Sequence, residues 1–169
     1  MNLQRLWRHV VTDHRTSHRL FPAQALSRLE LATKHGEQVH AGQVRLAIEA
    51  SLPISAIRRN VSPRARAIEM FGMLRVWDTA ENCGVLVYLL VADRAVEIVA
   101  DRGIDAKVDD ATWRAICARM EAHFRAGNFA DGAQQGLVEI GALLAEHFPR
   151  KSGERAPSGN ELPDAPVML

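Results

Sequence analysis

The sequence predicts an α/β fold, a three-layer α/β/α sandwich around a small mixed sheet, and three observations carry that reading. The apolar period changes at Gln43: Val44, Leu46 and Ile48 alternate with Arg45, Ala47 and Glu49, as in a strand with one face better buried than the other. From Gly84 the run "GVLVYLLVA" is apolar without alternation, which suits a central strand covered on both faces. "AVEIVA" then follows after only "DR". So tight a connection holds no crossover helix, so the two strands form a central antiparallel hairpin.

The remaining elements follow in chain order. Leu3, Leu6, Trp7, Val10 and Val11 fall at helical spacing, with Arg5, Arg8 and His9 elsewhere on the wheel, and make a short amphipathic helix. Its stripe packs on the domain body or lies on an anionic membrane surface or a partner; the pattern allows either. Pro22 opens the next helix, Leu26 and Leu29 mark its buried face, and Gly36 is its expected stop. "LPISAIRRNVSP" reads as a loop bounded by prolines, followed by a helix on Ala67, Met70, Phe71 and Leu74 that ends near Trp77. Asp93 fits the hairpin turn, although the glycine usual there is missing. Asp109 and Asp110 can cap a helix striped by Trp113, Ile116, Cys117, Met120 and Phe124 and closed by Gly127. A last helix after Asn128 carries Leu137, Ile140, Leu144 and Phe148 and is ended by Pro149. The chain thus divides into a basic amphipathic segment over residues 1–20, a domain over 21–149, and a tail over 150–169 that is rich in Gly, Pro, Ser and charge and is expected to be flexible.

Composition narrows the function classes. With 47% hydrophobic and 24% charged residues in 169, one domain with a real core is expected. The net charge of +1 conceals an N-terminal cluster of Arg5, Arg8, Arg15 and Arg19, but it leaves no general nucleic-acid footprint. Cys83 and Cys117 are too few and too far apart for a disulfide framework or a paired-cysteine metal site. The start of the chain has no continuous apolar export core, and no run reaches membrane-spanning length, so the expected location is cytoplasmic, peripheral to the inner membrane if the first helix attaches there. Glycine-rich phosphate loops, the G-x-S-x-G elbow and H-E-x-x-H are all absent. His14 and His18 share a helical face without a third ligand at a recognisable spacing. Cys83 beside Gly84, with His40 as base, is a conceivable nucleophile, against which stands the plainer reading of a buried thiol.

The hairpin also says where the loop charges meet. Two strands joined through a helix are normally parallel, so the strands from Gln43 and Gly84 start at one edge, and the return strand ends beside them at Ala100. Asp78, Glu81 and Asn82 then face Asp101, Arg102 and Asp105, with His40 and Gln43 nearby. A set this rich in oxygen suits Ca²⁺ or Mg²⁺ rather than zinc; solvated turns are the ordinary alternative.

In "HAGQVRLAIEASLP", "ARAIEMFGMLRVWDTAENCGVLVYLLVADRAVEIVADRGI" and "FRAGNFADGAQQGLVEIGALL", taken in that order, the chain resembles the TPM domain family over about Leu26 to Phe148. Members include a thylakoid-lumen acid phosphatase and photosystem II repair proteins. The resemblance implies an α/β/α sandwich and, in some members, calcium binding or phosphate-ester hydrolysis. Where the family typically carries "DNG" before the long strand, this chain has Asn82, Cys83 and Gly84, and Gln43 stands where a Glu is usual. Two functions are expected from this. One is a non-catalytic interaction or assembly module for membrane or envelope complexes, able to take a divalent cation, whose contact surface is residues 3–11. The other is a metal-dependent phosphatase-like hydrolase of phosphomonoesters. There Asp78, Glu81, Asn82, Asp101 and Asp105 gather Ca²⁺ or Mg²⁺, Arg102 stabilises the anion and His40 transfers a proton.

Overall fold

The computed structural model describes residues 3–150 and 161–169. The elements are α1 (Leu3–Val11), α2 (His14–Leu20), α3 (Ala23–Val39), β1 (Gln43–Glu49), α4 (Ile54–Arg58), α5 (Pro63–Met73), β2 (Gly84–Leu90), β3 (Ala95–Ala100), α6 (Arg102–Asp105), α7 (Asp110–Arg125), α8 (Phe129–His147) and β4 (Val167–Met168). The sheet order is β3-β2-β1-β4. β1 runs parallel to β2 with Gln43 opposite Gly84, and β2 runs antiparallel to β3 with Val85 opposite Ala100.

The period of two in the strands divides the core into two layers. Val85, Val87 and Leu89 of β2 join Val44, Leu46 and Ile48 of β1 against Leu29 of α3, Ile116 and Met120 of α7, and Ile140 and Leu144 of α8. Leu86, Tyr88 and Leu90 face the other way, onto Ala56 and Ile57 of α4 and Ala67 and Met70 of α5. All seven residues of β2 are buried, as a strand covered on both faces requires. Under the first layer, Phe124 stacks on Phe129 at 4.7 Å between ring centroids.

The second layer holds a charged network. Glu49, at the end of β1, accepts from Arg66 Nε and Nη2 at 2.9 Å each and from the Tyr88 hydroxyl at 2.5 Å. A buried carboxylate is tolerated here because a guanidinium fork and a phenol satisfy it.

Several boundaries move from their expected places. α3 continues past Gly36 to Val39, and the loop from Leu52 contains the one-turn helix α4, whose Ala56 and Ile57 are buried. The hairpin turn compensates for its missing glycine by placing Arg94 in the left-handed region at φ 51°. The Asp109 cap forms as expected, accepting Thr112 N–H at 2.7 Å.

The largest difference is in the tail. Residues 151–160 of the span expected to be flexible lie outside the described residues, but beyond them Leu162 is buried and β4 pairs parallel with Ala47 and Ile48 of β1. Arg45 Nη1 donates to Pro163 O at 2.6 Å and to Ala165 O at 2.7 Å. Gly and Pro raise the entropy of a segment, but an otherwise open apolar edge at β1 recruits it all the same.

The N-terminal segment is likewise no separate appendage. On α1, Leu6 packs into the second layer. Arg5 Nε donates to Asp93 Oδ2 at 2.9 Å, and Arg8 Nη2 reaches Asp93 Oδ1 at 3.3 Å. Leu52 N–H donates to the buried His9 Nδ1 at 2.9 Å, which leaves the ring proton on Nε2. That Nε2 lies 3.2 Å from Asp93 Oδ1, bent off the ideal hydrogen-bond line.

Candidate functional site

The rim expected from the hairpin is assembled at the start of β2. Asp101 N–H donates to Gly84 O at 2.8 Å, locking the end of β3 beside the first residue of β2. Asp101 then caps α6, its Oδ1 accepting Arg102 N–H at 2.8 Å. Gly103 N–H donates to Asn82 O at 3.1 Å, so the two loops touch through their backbones. A Cβ on Gly103 would sit 2.6 Å from Asn82 O, and only glycine permits that approach. Asn82 takes the left-handed conformation at φ 52°, and its Oδ1 accepts from Arg102 Nε at 3.1 Å and Nη2 at 3.0 Å.

The other expected residues scatter around this contact. Asp78 is exposed and pairs with Arg75 at 3.9 Å. Glu81 is exposed, and Asp105 lies beside β3 in a groove bounded by α7. Gln43 points to the C-terminal segment, where its Oε1 accepts Leu162 N–H at 3.3 Å. Among the described residues, no three His, Cys, Asp or Glu side chains come together as a metal-binding group. The Asp101 Oδ2 atom is buried without a hydrogen-bond partner, which suits a cation, but Asn82 Oδ1 is occupied by the Arg102 guanidinium. Ca²⁺ takes about six to eight oxygens, so these donors, in this arrangement, do not fit the ion.

His40 lies away from the open rim. It is 1% exposed, its Nδ1–H donates to Gly42 O at 3.0 Å, and its Nε2 lies where a Cβ on Gly36 would collide at 2.8 Å. Burial, helped by Arg150 and opposed by the Gly42 hydrogen bond, holds its pKa down at about 4. His40 is therefore a neutral wedge between α3 and α8. Cys83 is also buried: its thiol donates to Ala41 O at 3.4 Å, and burial pushes its pKa up, which disfavours a nucleophilic thiolate.

Sequence reasoning missed two clusters. Thr79 is buried, and its Oγ1 accepts Cys83 N–H at 3.0 Å, which shapes the approach to β2. Asp93, a turn residue in the sequence pattern, is the anchor for Arg5, Arg8 and His9; the signal in the sequence is an acid at a turn matched by an N-terminal basic cluster.

The TPM domain family matches residues 15–143, and this chain belongs to that family. Among solved structures, the NMR structure of the BA42 protein from the psychrophilic bacterium Bizionia argentinensis superposes with a TM-score of 0.74 at 26% identity, covering 87% of this chain and 94% of that one. No curated protein matches the chain.

Proposed function

We propose that this TPM-domain protein is a non-catalytic interaction module for membrane-associated complexes, with α1 as its contact element. One observation carries the reading: α1 is fixed to the domain by Leu6 in the second layer and by Arg5 and His9 on Asp93, while Leu3, Trp7, Val10 and Val11 are 70%, 66%, 57% and 50% exposed. Surface helices usually bury their apolar stripe; this one partly buries Leu6 and presents the rest. Seating such partly exposed side chains in a lipid interface yields roughly 1 kcal/mol each, enough for reversible contact and far from permanent anchoring. Arg8, Arg15 and Arg19 supply the attraction to anionic lipid, and the matching location is the cytoplasmic face of the inner membrane. Among the described residues no helix is long and apolar enough to cross a membrane.

The test is co-sedimentation with phosphatidylglycerol vesicles. Trp7→Glu leaves the fold intact, since Trp7 is exposed, and is expected to abolish pelleting. Equal pelleting of the two proteins, or no pelleting of either, refutes the membrane contact.

One observation favours a second reading, the orphaned Asp101 Oδ2. A divalent cation at that oxygen requires Arg102 to leave Asn82. A Ca²⁺ and Mg²⁺ titration then shifts the amide resonances of residues 82–84 and 101–105, and Arg102→Ala tightens binding; unshifted resonances remove the cation, and with it the phosphomonoester hydrolase alternative.

A further inference from the structure

Among the described residues, β3 has a strand neighbour on one side only, at β2. Asp101 N–H points to Gly84 O, and by the alternation of an antiparallel ladder Val99 and Glu97 also point inward. Val96, Ile98 and Ala100 therefore turn their backbone groups outward. Side chains stand in for the missing strand. Arg64 Nη1 donates to Ile98 O, where a neighbour's N–H would stand. Glu121 Oε1 accepts Val96 N–H at 3.1 Å, where a neighbour's carbonyl would stand. Ile98 N–H faces the thiol of Cys117.

These surrogates line a groove of about 550 Å³ between α5 and α7 along the β3 edge. Its charge is lopsided: Glu97, Asp105, Asp110 and Glu121 outnumber Arg64 and Arg114. Arg64 approaches Glu97 only to 3.7 Å while its fork also serves Ile98 O, and Arg114 stays with Asp110 at 3.9 Å. Burial above all, with a smaller push from Glu121 and against the opposing Arg64, holds the Glu97 carboxyl above its usual range, while Glu121 meets Arg125 at 3.7 Å. Independently, Trp113 lines the same groove, is 5% exposed, and has a buried indole Nε1–H with no hydrogen-bond partner. Orphan indole donors are uncommon in folded proteins, and a peptide carbonyl is a natural acceptor for this one.

We propose that the β3 edge is a docking groove for an extended, basic peptide segment of a partner protein. The segment adds as a further strand beside Val96–Ala100, displaces the Arg64 and Glu121 surrogates from the backbone, and sets its Lys or Arg side chains against Glu97 and Glu121. The surface is remote in kind from the α1 stripe: one recognises backbone and positive charge, the other apolar area.

The test uses the full chain with a short fluorescent peptide of alternating lysine and valine, followed by anisotropy and amide NMR. The expected result is saturable binding, with shifts at Val96, Ile98, Ala100 and the Trp113 indole N–H. A peptide of the same sequence N-methylated at every backbone nitrogen keeps its charge but can donate along neither edge, and is expected to bind about tenfold more weakly or worse. Glu97→Gln weakens the unmodified peptide roughly fivefold, as expected for a half-buried ion pair, while Trp7→Glu leaves this binding unchanged. Equal binding of the two peptides, shifts confined to other surfaces, or no binding at all overturns the proposal and leaves Arg64, Cys117 and Glu121 as protective caps on an edge strand. Concentration-dependent pairing of the protein at the same edge without peptide also overturns it, by naming a second copy as occupant.

Discussion

Asp93→Ala tests how the N-terminal helix is held. The substitution removes the acceptor shared by Arg5 at 2.9 Å, Arg8 at 3.3 Å and His9 at 3.2 Å. Arg5 and Asp93 are largely buried, so a half-satisfied guanidinium remains, worth about 2 kcal/mol. The bent His9 contact adds about 0.5 to 1 kcal/mol, and the exposed Arg8 contributes a few tenths at most. The sum, about 3 kcal/mol, falls on the docking of α1 and leaves the sheet core untouched. Opening of that helix then becomes about a hundredfold more frequent. Hydrogen exchange of residues 3–11, followed by mass spectrometry, reads this directly. The pH dependence has a definite sign. Burial raises the Asp93 pKa, but hydrogen bonds from His9 and Arg5 and the charge of Arg5 lower it more, so the net value lies below 3.8. A depressed acid stabilises above its unfolded pKa and loses that contribution as pH falls through the folded one, so native protein releases α1 only below about pH 4. Unchanged protection of residues 3–11 in Asp93→Ala at neutral pH refutes this account of the docking, and with it the fixed presentation of Trp7.

Other perturbations probe the remaining parts of the fold. Gly84→Ala places a Cβ 1.9 Å from the Val76 carbonyl oxygen, a backbone atom that cannot swing aside, so denaturant titration is expected to show a loss of about 3 kcal/mol or more. Glu37 and His40 have opposed pH slopes. Glu37 is raised from 4.5 to about 7, chiefly by burial and further by Asp164, against the Val44 N–H and Arg150, so its contribution is complete below 4.5 and lost as pH rises through 7. His40, lowered from 6.5 to about 4, contributes fully above 6.5 and loses that as pH falls. Between those limits the two slopes cancel; Glu37→Gln unmasks the His40 slope, and its melting temperature is expected to drop steadily from pH 6.5 to 4.5 relative to native protein. Deleting residues 161–169 uncovers the β1 edge and the pocket of Leu162, which is expected to lower stability by about 2 kcal/mol and increase aggregation, checked by calorimetry and light scattering.

The hairpin and its neighbours were legible because their signals are local and of one kind. An unbroken apolar run from Gly84, a two-residue connection and a second β-rich run leave few alternatives, and the parallel pairing with β1 follows from the intervening helix. The contact between Asn82 and the Asp101–Gly103 turn was legible at the level of loops for the same reason. Which side chains converge there was not, because five polar residues on two loops share a rim without sharing a direction: Asp78 leans to Arg75 and Asp105 to the β3 groove. His40 read as a candidate base because spacing does not reveal burial; its ring is wedged at the α3–α8 crossing.

By itself, the sequence determined the layers, the strand directions and the family, because hydrophobic period and connection length are properties of consecutive residues. Only the tertiary structure decided what the charged residues do. Asp93 and Arg5 lie far apart in the chain and near in space, and a Gly- and Pro-rich ending becomes a strand because β1 offers it an edge. Such pairings depend on distances across the fold, to which local composition carries no reference.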